Sequence, residues 1–446
     1  MRKVIATISC CLCLSLLTPT ALSAPPAATK WDAMDTGPFF TSGFAGKYPA
    51  LKAISIKLGS SNEAAVCFDT ELLRMTMGWS GGFVKLPTGR GGLEGIPEPA
   101  GTPVFWTPNL PGWAKDGSFS DPRPKRQDNA RKNYKDIPAD VPYGSLPKDW
   151  AHYKGLYLHG ERVILSYSVG QSDVLEMPGF ENIDGLGIFS RTFQVHASDA
   201  PMSLLICETP GATVRIEKNR ATLVSGQGGA EESFIATGFV GAPEGAAWEV
   251  REQGQVVLKL PRSKKTTSFK VFISSGAKAD LAKFEGFLAG SFKFPDLKSL
   301  CKGGPKIWGE PVPTQGVIGN EEGPYQVDTL TLPETNPWKS WIRPSGFDFF
   351  SDGRAALCSV SGDVWIIDGI DGKLDKLTWK RFATGLYQPL GLKIVDDKVY
   401  VTGRDQITRL HDLNQDGEAD FYENFNNDVF ITPRYHEFVL NLETDS

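Results

Sequence analysis

Pro344-Ser345-Gly346-Phe347-Asp348-Phe349-Phe350 and Pro389-Leu390-Gly391-Leu392-Lys393-Ile394-Val395 share a Pro-x-Gly-apolar opening 45 residues apart. Each leads into a turn, around Asp352 in the first and Asp397 in the second. Four strand-like runs follow the same order in both. In the first unit they are Phe347 to Phe350, Ala355 to Ser359, Val364 to Ile367 and Trp379 to Ala383. In the second they are Leu392 to Val395, Lys398 to Val401, Ile407 to Leu410 and Phe421 to Phe425. Four strands in a repeat of this length describe a β-propeller blade. The sequence therefore predicts blades at 344–388 and 389–434 and the start of a third at 435–446, where His436-Glu437-Phe438-Val439-Leu440 begins. Six blades at this period would need roughly 270 residues, and 106 remain from Trp341. Two readings are open: the sequence is a piece of a longer product, or the free edges are covered by the earlier part of the chain or by another chain.

Within the second unit, Asp412-Leu413-Asn414-Gln415-Asp416-Gly417-Glu418-Ala419-Asp420-Phe421-Tyr422-Glu423 satisfies each constrained position of the twelve-residue calcium loop D-x-[DN]-x-[DN]-G-x5-E. Calcium needs many hard oxygen ligands around a tight turn. Asp412, Asn414 and Asp416 would offer side-chain oxygens, Gly417 the turn and Glu418 its carbonyl. Asp420 would contribute a direct or water-mediated contact, and Glu423 a bidentate carboxylate. The flanks are strand-like, which places the loop on a hairpin between the third and fourth strands. The alternative is an Asx-rich turn without an ion. In the first unit the matching connection, Asp368 to Asp375, is acidic but breaks the spacing.

Upstream, strand-like runs recur around glycine turns. Lys154 to His159 and Arg162 to Val169 read as a hairpin, and further runs lie at Arg191 to His196, Ser203 to Cys207, Thr213 to Glu217, Glu249 to Leu260 and Ser268 to Ile273. This density predicts a sandwich-like, β-rich domain over 24–300, with one helix, Ala277 to Leu288, against it. A linker covers 301–340, and the whole is all-β. Residues 96–150 form a Pro- and Trp-rich loop, including Trp106 and Trp113, whose prolines oppose strand pairing. Its tryptophans either stack on sugar rings or anchor the loop to the core. His152 and His159 read as structural.

The N-terminus has the layout of a secretory signal over 1–23: Arg2 and Lys3, an apolar stretch to Leu17, then small residues to Ala24. The stretch is shorter than a spanning helix, and no later segment qualifies as one. The expected location is periplasmic or extracellular. Loss of Arg2 and Lys3 would move the net charge of −5 to −7, and nothing in that balance points to nucleic acid. Cys67, Cys207, Cys301 and Cys358 are scattered, which argues against clustered zinc. No CxxCH is present for covalent haem.

Several stretches together resemble exported bacterial proteins labelled membrane-bound dehydrogenases. Their propeller is related to soluble quinoprotein glucose and sorbosone dehydrogenases. In the C-terminal part these stretches are Ser351-Asp352-Gly353-Arg354, Gly362-Asp363-Val364-Trp365, Arg381 through Leu392 and Thr402 through Ile407. In the N-terminal part, Val66 to Thr70, Gly78 to Phe83, Pro111 to Ala114 and Trp150 to Tyr157 resemble the domain of unknown function that precedes that propeller. The resemblance implies oxidation of a carbohydrate with pyrroloquinoline quinone (PQQ), a histidine base and arginines near the ring axis, and transfer of electrons to a cytochrome c domain or protein. The later blades and the haem motif are missing from this sequence. No catalytic residue aligns, His436 being notable only for opening a strand. Two functions are therefore carried forward: a quinoprotein sugar dehydrogenase-like protein or its N-terminal portion, and a non-catalytic, calcium-stabilised module that binds a glycan or a protein.

Overall fold

The computed structural model describes residues 30–124, 142, 144–226, 232–320, 323–431 and 438–445. The signal segment, much of the Pro-rich loop and His436 lie outside the described residues. The described chain is mostly strand, in antiparallel sheets of which none closes on itself.

The first sheet runs in the order Phe39–Phe44, Ala50–Leu58, Ala64–Asp69, Arg74–Ser80 and Thr102–Trp106. Its first four strands are almost wholly buried, so both faces are covered. The fifth corrects the expectation that prolines keep 96–150 out of strands. Pro103 is accommodated because its strand lies at the sheet edge, and the register slips where Gly78 and Trp79 face Phe105 and Pro103. Trp113 is buried, its indole N–H donating to the Tyr167 hydroxyl, and the Trp150 indole N–H donates to the Trp113 carbonyl. These two tryptophans anchor the chain to the core.

The hairpin around Gly160 forms as expected, from Ala151–His159 and Arg162–Val169. It belongs to a twelve-stranded sheet that also takes in Ser172–Ile183, Leu186–Val195 and Thr267–Ala277. The Glu249 to Leu260 run splits into two paired strands, Ala247–Arg251 and Gln255–Leu260, because a short 3-10 turn at Glu252–Gly254 reverses the chain. The expected helix is the shorter Leu281–Leu288, with Phe284 buried against the sheet. Cys67, Cys207 and Cys358 are buried free thiols and Cys301 is half-buried. Burial pushes the Cys207 thiol up to about 12.

Each C-terminal unit has four antiparallel strands. They are Pro344–Phe349, Ala355–Ser359, Val364–Asp368 and Leu377–Ala383, then Gly391–Val395, Lys398–Thr402, Ile407–His411 and Phe421–Asn426. The outer strands do not end in solvent. Leu377–Ala383 pairs with the linker strand Val312–Thr314. Phe421–Asn426 pairs with Ala151–His159, so the second unit continues directly into the twelve-stranded sheet. Gly155 sits at that seam with φ +135, where a Cβ would lie 2.3 Å from the Tyr422 carbonyl oxygen. Residues 438–445 form no strand, contrary to expectation. Asn441 N–H donates to the Leu390 carbonyl oxygen, so this segment lies beside the second unit's first strand.

Candidate functional site

The 412–423 loop is folded around its own carboxylates. Both Asp412 oxygens accept backbone N–H groups, from Asp416 at 3.0 Å and Gly417 at 2.7 Å. Asp416 accepts from the Glu418 amide, and Asn414 Oδ1 accepts from Asp416. Gly417 has φ +87, the left-handed conformation the motif reserves for glycine.

The same loop joins three other parts of the chain. Asn414 Nδ2 donates to the Gly304 carbonyl, and the Gly304 N–H donates back to Asp420 at 2.8 Å. Glu418 accepts from the Ile307 and Trp308 amides at 2.7 and 3.1 Å. Ala419 N–H donates to Phe382 of the first unit, and Leu158 N–H donates to the Asp420 carbonyl from the earlier hairpin. The linker can approach this closely only because a glycine stands at Gly303, φ +101, where a Cβ would lie 2.7 Å from the Asn414 Cβ.

Burial dominates the electrostatics of the loop's Asp420 and Glu418. Burial raises the Asp420 carboxyl; bonds from Gly304 and Leu413 oppose this, and Asp416 and Asp412 add to the rise. Glu418 is likewise raised, first by burial, with the Ile307 and Trp308 amides and Lys380 pulling the other way. Glu423 stands apart from this group. Its carboxylate lies 2.6 Å from both Arg409 Nε and His411 Nε2, and these bonds outweigh burial and lower its pKa. Among the described residues no three His, Cys, Asp or Glu side chains are grouped to hold a metal. The side-chain oxygens of Asp412, Asn414, Asp416 and Asp420 accept backbone N–H groups of the loop and of Gly304.

Beside the loop, a crevice of about 490 Å³ runs between the two four-stranded units. Arg354, Lys380, Lys398 and His411 line it, and so do Asp368, Asp397 and Asp412. His411 went unnoticed in the sequence, since nothing local distinguishes it, and Glu423, expected there as a bidentate calcium ligand, is its partner instead. They become adjacent through strand pairing, where the Arg409–Glu423 register brings residues 411 and 423 onto one patch. His152 is half-buried, and burial lowers its pKa with help from Lys148 and Lys154.

Residues 66–176 match a domain of unknown function, DUF6797. The match covers part of the first sheet and the hairpin that carries Gly155. No curated protein matches the chain. Among solved structures, one described as a kojibiose phosphorylase from the human microbiome aligns at 9% identity and a TM-score of 0.28. That alignment covers 64% of this chain and 40% of the other, and a likeness at this level carries no argument.

Proposed function

We propose that this is an exported binding module in which the 412–423 loop takes a calcium ion, clamping the second C-terminal unit to the linker and the earlier sheet while the assembled surface grips a glycan or protein partner. The two C-terminal units are read as adjacent propeller blades and the preceding sheets as sandwich-like. One observation supports the reading above all: loop residues 414 to 420 bond directly to Gly304, Ile307, Trp308, Leu158 and Phe382. A cation among Asp412, Asp416 and Asp420 would relieve their mutual repulsion and stiffen that junction. The test is thermal unfolding with calcium and with chelator. Calcium at about a hundredfold over Kd should stabilise by roughly 2.7 kcal/mol, and Asp416→Ala should abolish the difference. An unchanged melting temperature in the wild-type protein would remove calcium from the proposal.

A second reading, sugar oxidation as in the quinoprotein dehydrogenases, finds support in His411. It lines the crevice with its Nε2 held by Glu423 and Arg409, and a positioned imidazole is the side chain most often used as a general base. The donor set does not fit PQQ itself, a tricarboxylate, because Asp368, Asp397 and Asp412 stand among the three cations. Dye reduction across a sugar panel with added quinone, followed by transfer to a cytochrome c, tests this reading. Silence across the panel would sink it.

A further inference from the structure

A second cleft, of about 460 Å³, opens where the strand Ala50–Leu58, the hairpin turn at Glu161 and the linker at Trp308 meet. Its size falls in the range of small-molecule sites. One wall is rigid. Trp308 has its amide held by Glu418 and its ring against the Arg381 guanidinium at 4.5 Å. Gly37, φ +71, packs so close that a Cβ would lie 2.6 Å from that ring.

Lys57 lines the cleft with its side chain 17% exposed. Its ammonium lies 3.7 Å from Asp35 Oδ1 and 5.2 Å from the centre of the Phe83 ring. The first distance is that of an ion pair, long for a hydrogen bond, and a lysine ammonium carries three donors, more than this one contact takes up. Burial lowers its pKa, and the Asp35 charge only partly restores it. Around it stand Arg162, a second cation, and the carboxylates of Asp35 and Glu161, with Phe180 as an apolar flank.

We propose that this cleft binds an acidic sugar of the hexuronate class, its carboxylate meeting Lys57 and Arg162, its hydroxyls donating to Asp35 and Glu161, and its C–H face lying on the apolar wall. A neutral sugar would leave Lys57 with Asp35 as its acidic partner and bring no second one. A dianion such as a phosphate ester would meet two like-charged carboxylates. A hydroxylated monoanion satisfies both signs of charge. The inference rests on the binding-module reading for the general kind of ligand, and its test is separate from the calcium test.

Calorimetric titration of the full chain should detect D-glucuronate, with D-glucose and L-glutamate at least about tenfold weaker, the worth of one charge-assisted hydrogen bond. Lys57→Met should weaken glucuronate by about tenfold or more. Arg162→Gln, at an exposed position that leaves packing alone, should weaken it severalfold. Absence of glucuronate binding, equal binding of glucose or glutamate, or wild-type affinity in both variants would overturn the assignment. If calcium still stabilises a protein that ignores glucuronate, the cleft ligand is lost and the module reading stands.

Discussion

Arg381 illustrates how individual residues hold this protein together. It is fully buried with Asp363, its guanidinium 2.8 Å from that carboxylate and 2.6 Å from the Asp35 carbonyl, and Thr384 and Ser340 also donate to Asp363. Removing one member of a buried, hydrogen-bonded pair leaves the other charge uncompensated. Asp363→Ala should therefore cost about 3–5 kcal/mol in urea unfolding, far more than a surface pair such as Lys115–Asp149. Asp405 gives a pH signature. Burial, opposed by Lys52, lifts its carboxyl to about 6. A folded pKa above the unfolded value means that its contribution to stability is complete below pH about 4 and is lost as pH rises through 6. Unfolding free energies across that window should slope downward less steeply in Asp405→Asn than in the wild type. The full swing is about 2–3 kcal/mol, and parallel curves would refute the assignment.

At the level of elements, the seam between Phe421–Asn426 and Ala151–His159 is where local pattern and long-range pairing meet. Gly155 is the tightest point of that seam, so Gly155→Val should clash with the Tyr422 backbone and destabilise by at least about 3 kcal/mol. The same substitution at Gly170, whose Cβ position is open, should cost mainly its left-handed strain. Comparing the two unfolding midpoints checks this. Repeat strands were legible because alternation and glycine turns are local signals. The strand at Thr102–Trp106 was not, since its prolines argue against pairing until an edge position is known.

Across the whole molecule, the twelve-stranded sheet contains strands from both the early and the late parts of the chain. Hydrogen bonds and the large apolar core cross between them, with Leu156 and Tyr422 in one cluster. Unfolding followed by circular dichroism and by tryptophan fluorescence should give one coincident transition. Two separated transitions would show that the seam is weak.

By itself, the sequence determined the β-rich character, the paired four-strand units and the glycine turn of the 412–423 loop, because each is written in short-range spacing. Tertiary structure decided the rest. It assigned Glu423 to Arg409 and His411, turned the loop toward the linker, and covered the outer strand of the second unit with a hairpin more than 250 residues earlier. It also assembled the Lys57 cleft from segments far apart in the chain. Which edge a strand finds and which charges become neighbours depend on packing between distant segments, and neither periodicity nor motif spacing encodes that.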